Sequence, residues 1–229
     1  MRPVNKWKVG YVFGAEIIKD KYSPHKSAKP HLESNLGCFC SYCEIPIMDE
    51  AMHVEHVKPQ DSNRTLKYKW INFLVSCHRC NGADNKSNKP VIFKDIYLPH
   101  RNNTFKCIEY HFSGKVDVKP GLTVIESLKT KRLIELVGLQ LMKGDPKHKM
   151  GDKRAERRQT VYTLALKYES DYSQGKISSI KFIVEFALGK GFWSVWMKVF
   201  ESHPLVIKEL ILAFDGTFSD CISTNLDRK

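Results

Sequence analysis

The chain has 229 residues, 42% of them hydrophobic, with a formal net charge of +12 and a pI of about 9.3. Length and apolar content suit one large or two small globular domains and exclude a disordered chain. The basic balance favours a polyanionic partner, nucleic acid before an acidic membrane surface, and no run approaches a membrane span.

The opening Met1-Arg2-Pro3-Val4 leads into mixed sequence without the apolar segment of a signal peptide, so the expected location is cytoplasmic. Residues 19–30 read as a polar loop holding Pro24 and Pro30, and residues 31–36 as a short helix that Gly37 ends. A tight knuckle follows over 38–43. Residues 51–57, with β-branched residues and two His, read as a strand ending before Pro59. An apolar stretch, 68–77, leads into a short helix over 77–85, closed by Asn88-Lys89-Pro90. Residues 107–112 and 115–118 bracket a Ser113-Gly114 turn.

Past Pro120-Gly121 the pattern changes. Apolar residues from Val124 to Leu141 recur at helical spacing until Gly144-Asp145-Pro146. Further helices are expected at 152–168, 177–188, 192–200 and 204–214. The expected fold class is α+β: an N-terminal zinc-knuckle ββα module over residues 1–118, then a mainly α-helical region over 119–229.

Four of the seven cysteines form two CxxC pairs, Cys40/Cys43 and Cys77/Cys80. In each pair the two-residue spacer lets both sulfurs reach one ion from a tight turn, so the set fits a structural, tetrahedral Zn²⁺. Cys38, Cys107 and Cys221 read as small apolar residues. Between the pairs lie Glu55, His56 and Asn72, and Asn81 follows Cys80. Phosphodiester hydrolysis needs a base near neutral pH and a divalent cation. His56 suits the first role; Glu55 and the Asn81 amide suit a Mg²⁺ or Mn²⁺ that keeps positions open for water and phosphate. Consecutive strand residues point to opposite faces. Glu55 and His56 therefore share a site only if the strand twists or ends there; in a regular strand His53 shares a face with Glu55.

These residues resemble the HNH (His-Me finger, ββα-metal) endonucleases of the four-cysteine zinc type. The match comprises the two knuckles, Glu55-His56 with Pro59, Trp70-Ile71-Asn72, and Asn81 nine residues after Asn72. The resemblance implies that His56 is the general base, Glu55 and Asn81 hold the catalytic cation, and Asn72 braces the loop. Many members have Asp where this chain has Glu55, and Asp84 or Asn85 are alternatives to Asn81 as ligand. A non-catalytic zinc module binding nucleic acid or protein is the alternative reading.

The likeness extends, through Gly37–Glu44, Asn103-Thr104-Phe105 and Glu109-Tyr110, to the PtuB-type HNH effectors of Septu and retron-linked antiphage systems. That implies a defence nuclease acting on DNA or RNA, including tRNA, with a PtuA-like ABC-type ATPase. A retron reverse transcriptase and its RNA–DNA product are further implied partners, and a membrane is not. The chain has no GxxxxGK[ST] loop, so any ATP dependence belongs to the partner.

Basic residues supply weaker signals. Lys58, Arg79 and Lys86 lie around the proposed site in sequence, with Arg64, Lys67, Lys69 and Lys89, and are candidate nucleic-acid contacts. Arg154, Arg157 and Arg158 share a helix face that either holds phosphates or is simply solvated. Trp70 reads as core rather than a stacking platform. The stripe Trp193, Val195, Trp196, Val199, Phe200 reads first as helix core and otherwise as a docking face for the ATPase.

Overall fold

A computed structural model describes residues 1–48, 51–223 and 226–227. The fold is α+β, an N-terminal module of short strands and helices followed by a helical part. Three separate two-stranded antiparallel pairs form: β1 (Val12–Phe13) with β2 (Glu16–Ile17), β3 (His53–His56) with β4 (Phe73–Ser76), and β5 (Ile108–Tyr110) with β6 (Val116–Val118). The helices are α1 (Lys29–Leu36), α2 (His78–Asn81), α3 (Thr104–Cys107), α4 (Val124–Leu136), α5 (Arg154–Ser173), α6 (Ile180–Lys190), α7 (Trp193–Val199) and α8 (Pro204–Ala213).

Most expected elements are present with shifted ends. Helix α1 starts earlier than expected, because Pro30 falls in the first turn, where its missing N–H costs nothing. Helix α4 opens on a capping box, the Thr123 hydroxyl accepting from Glu126 N–H and the Glu126 carboxylate from Thr123 N–H. It ends at Leu136 rather than 141. Gly138 there takes φ +61, and a Cβ on it would stand 2.0 Å from Asn85 Oδ1, so only glycine permits the approach. Helix α5 runs past its expected end at 168, held by Glu169 against His203 at 2.7 Å and by Tyr172 packed edge-on to that imidazole. The β1–β2 pair and α3 were not anticipated.

One buried core extends through both parts of the chain, from Met1 to Leu226. The Arg2 guanidinium donates to the carbonyls of Leu36, Phe214 and Asp215. Glu44, buried in the turn after the first knuckle, accepts from Ser194 N–H at 2.9 Å and Ser194 Oγ at 2.6 Å. Trp193, Val195, Trp196 and Phe200 are all fully buried, which makes the α7 stripe core. No helix among the described residues is long and apolar enough to cross a membrane.

Candidate active site and metal centre

The module is a ββα unit in chain order: β3, a long loop, β4, then α2. In the β3–β4 register, His53 opposes Ser76, Glu55 opposes Leu74 and His56 opposes Phe73. All four residues of β4 are buried, so it forms the inner strand, while β3 lies at the surface with only Glu55 fully covered. Asn72 closes the intervening loop. Its Oδ1 accepts from Lys58 N–H at 2.8 Å and its Nδ2 donates to the carbonyls of Lys58 and Leu66 at 2.9 and 3.3 Å. Its amide is wholly engaged with backbone, as befits a brace.

The four knuckle sulfurs lie within 4.8 Å of one another, and all four cysteines are buried. Cys43 Sγ and Cys77 Sγ are 3.7 Å apart. Four ligands at about 2.3 Å from a tetrahedral zinc require separations of this order, so the donor set fits that ion. Cys77 also caps α2, its sulfur accepting from Cys80 N–H. Arg154 adds a support outside the four ligands. Its Nη1 donates to Cys80 Sγ at 3.2 Å and to the Val137 carbonyl at 2.8 Å, and its Nε and Nη2 hold the Asp152 carboxylate.

A cleft of about 550 Å³ lies beside β3, lined by His53, Glu55, His56, Pro59, Asn81 and Asn88, with His25, Lys26 and Lys29 from the preceding loop and α1. The strand ends at His56, and both it and Glu55 line this cleft despite their opposite faces. His53 lines it too, its ring meeting His78 at 5.8 Å. His56 Nε2 stands 2.8 Å from the Lys67 carbonyl. A carbonyl only accepts, so Nε2 carries the proton and Nδ1 keeps a lone pair. The His56 ring is wedged edge-on between His25, at 4.8 Å, and Phe73, at 5.2 Å. Burial lowers its pKa below the usual 6.5 although the Lys67 carbonyl pulls the other way, so the imidazole is neutral at pH 7.

Glu55 is almost wholly buried. Its Oε1 is 2.8 Å from Lys86 Nζ and 3.4 Å from the Tyr42 hydroxyl. Burial pushes its carboxyl up to about 7 against the pull of Lys86. Lys86 also donates to the His56 carbonyl at 2.6 Å. As ligands for a hard cation, Glu55 and the Asn81 amide are right in kind: one carboxylate and one neutral oxygen, with room for water.

Several basic candidates lie elsewhere than expected. Lys86 is 1% exposed and serves Glu55, not solvent. Arg154 and Arg158 are buried, and Arg158 donates to the carbonyls of Gly114 and Leu139. Only Arg157 of that trio is exposed, so the shared phosphate-facing surface expected of the three is absent. Their helix lies against the knuckles and β5–β6, and its inner face needed charge to satisfy buried carbonyls and a sulfur. Lys58 and Arg79 remain partly exposed, and Trp70 is core. The sequence reading missed His25, Tyr42 and the Lys86–Glu55 pair. No spacing ties His25 to His56, because a loop brings them together.

Residues 40–87 match the sequence model of the HNH endonuclease family. This segment is an HNH module. A curated relative from Bacillus thuringiensis, "Septu protein PtuB", is 34% identical over 110 residues, covering 46% of this chain and 41% of that protein. Less than half of that relative's length is thus matched. The HNH module holds both the cysteine cluster and the Glu55, His56 and Asn81 cleft, and the helical part flanks it through Arg154 and Ser194.

Proposed function

We propose that this protein is a metal-dependent HNH endonuclease that hydrolyses phosphodiester bonds in DNA or RNA. The observation that carries the reading is the convergence of Glu55, a neutral His56 with a free Nδ1, and Asn81 on one cleft of an HNH module. His56 Nδ1 takes a proton from the water that attacks phosphorus, while Nε2–H on the Lys67 carbonyl fixes the ring's tautomer. Asn72 holds the loop carrying Lys58 and Pro59 in place beside the reacting phosphate. Glu55 and Asn81 would hold a Mg²⁺ or Mn²⁺, which would offset charge on the phosphate and the leaving oxygen. Zn²⁺ in the four-cysteine site is structural, since four protein ligands leave no open position.

Similarity to a Septu protein supports a role in antiphage defence. The same reading assigns an ABC-type ATPase, and in a retron setting a reverse transcriptase with its RNA–DNA product, as partners. Within the continuous core, residues 1–118 carry the chemistry and residues 119–229 support it and meet the partner. The test offers the purified chain duplex DNA, single-stranded DNA and total RNA with Mg²⁺ or Mn²⁺, alone and with the ATPase. Metal-dependent internal cleavage of one class supports the reading. Binding without cleavage under every condition favours a non-catalytic zinc module.

A further inference from the structure

A second cavity of about 390 Å³ is lined by Phe93, Tyr97, Arg101, Asn102, Lys129 and Asp227 among others. We propose that the strip Lys58–Phe93–Arg101–Lys129 along it binds the phosphates of a nucleic-acid strand that leaves the cleft past Lys58. The proposal rests on the nuclease reading for the strand's origin, but its own grounds are separate.

The strip is organised by two aromatic rings. Lys58 Nζ and the Arg101 guanidinium carbon each stand 4.5 Å from the centroid of the same Phe93 ring. Lys129 Nζ stands 5.4 Å from the centroid of Tyr97. Attraction to the ring faces holds long, flexible side chains in place before any ligand arrives. Two cations sharing one ring are no farther apart than twice 4.5 Å, close enough to meet neighbouring phosphates of one strand.

These cations lie outside the close ion pairs of the described residues, although Lys129 is near enough to Glu126 to help the Thr123 hydrogen bonds hold that carboxyl below its usual value. Among the described residues, no ion pair involves Lys58, Arg101 or Lys129, whereas Lys69, Lys153 and Lys198 each meet a carboxylate within 4 Å. Three acids lie near the strip, and Glu126, close to Lys129 and Tyr97, accepts from the Thr123 N–H and hydroxyl. Asp95, in the turn that carries Phe93, is turned to Arg132. Asp227 accepts from the Asn102 amide at 3.2 Å. Three positive groups on aromatic platforms suit a repeated anion better than a single one.

The strip joins the catalytic cleft through Lys58. That residue follows His56 by two, and Asn72 clamps its backbone on both sides. Its neighbour Pro59 lines the cleft. A strand seated with one phosphate at His56 therefore meets Lys58 next, then Arg101 and Lys129. The Phe93 ring is engaged by two cations, so the contact reads charge and not base identity.

The test is a binding titration in the His56→Ala background, which keeps the oligonucleotide intact. A labelled 20-nucleotide DNA single strand, the matching RNA and the DNA duplex are titrated by fluorescence anisotropy from 50 to 200 mM salt. Arg101→Glu with Lys129→Glu is compared with Lys181→Glu and Lys208→Glu, an equal charge change on α6 and α8. The expected result is at least a tenfold loss of affinity for the strip variant. The slope of log affinity on log salt falls by about 1.4 for a single strand, at about 0.7 per lost contact. The α6/α8 variant changes little, and zinc content and circular dichroism are unchanged in both. An unchanged affinity and slope, an equal loss in the α6/α8 variant, or no binding by the parent protein would each overturn the proposal. Cleavage with His56 intact is scored separately. Cleavage with binding indifferent to the strip removes the strip alone; strip-dependent binding without cleavage removes the nuclease reading alone.

Discussion

Lys86 Nζ lies 2.8 Å from Glu55 Oε1, and both side chains are 1% exposed. An ammonium thus neutralises, from inside the protein, the carboxylate proposed to hold a catalytic cation. Replacing Lys86 by Met leaves that carboxylate buried without its partner. Breaking such a pair costs about 3–5 kcal/mol. We expect a loss of that size in urea denaturation at pH 8 for the zinc-loaded protein, partly restored by millimolar Mg²⁺. A change below about 1 kcal/mol would show that Lys86 does not carry the charge of Glu55.

The same carboxylate gives stability a pH dependence of definite sign. Its pKa is about 7 folded against 4.5 in the open chain. Between those values the folded state binds the extra proton. Its contribution is therefore full below about pH 4.5 and lost as pH rises through 7. A shift of this size corresponds to about 3 kcal/mol. Glu55→Gln should flatten that part of the stability profile between pH 5 and 8, read by thermal or urea unfolding. An unaltered profile would place the slope on another group. Where a metal competes with that proton for Glu55, raising Mg²⁺ should move the acid limb of cleavage to lower pH.

Arg154 is predicted to tune the zinc site without touching the ion. It donates to Cys80 Sγ and ties the second knuckle to the Val137 carbonyl after α4. Outer partners of this kind are worth about 10–100-fold in metal affinity. Arg154→Met should weaken zinc retention by that factor in competition with a chelator, whereas Cys77→Ser should lose the ion and the folded module together. Equal zinc retention by Arg154→Met and the parent would refute the role.

Ser194 offers Glu44 two hydrogen bonds across the two parts of the chain. Ser194→Ala keeps the backbone donor and removes the hydroxyl from a buried carboxylate. A loss of about 1–3 kcal/mol is expected in equilibrium unfolding. Because the tie joins the first knuckle region to α7, the loss should appear in a single cooperative transition. Two separate transitions would contradict the continuous core.

Much of the module was legible because its chemistry is local. Each CxxC pair and the Glu-His dipeptide before Pro59 sit on one short element, and the two Asn nine residues apart flank the short strand β4, so spacing carries geometry. The helices were legible by period, and α4 departed where Gly138 meets Asn85, a contact between distant segments that no periodicity encodes. Arg154 and Arg158 misled for the same reason. Their three/four spacing does put them on one face, but that face turns inward onto a knuckle sulfur and backbone carbonyls. His25 and Lys86 reach the site by loop closure, and a sequence shows a loop's composition without its destination.

His56 carries the proposed chemistry most directly. The measurement is cleavage of duplex DNA, single-stranded DNA and RNA by the parent protein and His56→Ala, with Mg²⁺ and with the proposed ABC-type ATPase supplied, beside zinc content and circular dichroism for both. Metal-dependent cleavage by the parent is expected, lost by at least two orders of magnitude in the variant, with zinc and fold unchanged. Undiminished cleavage by His56→Ala would contradict His56 as the base.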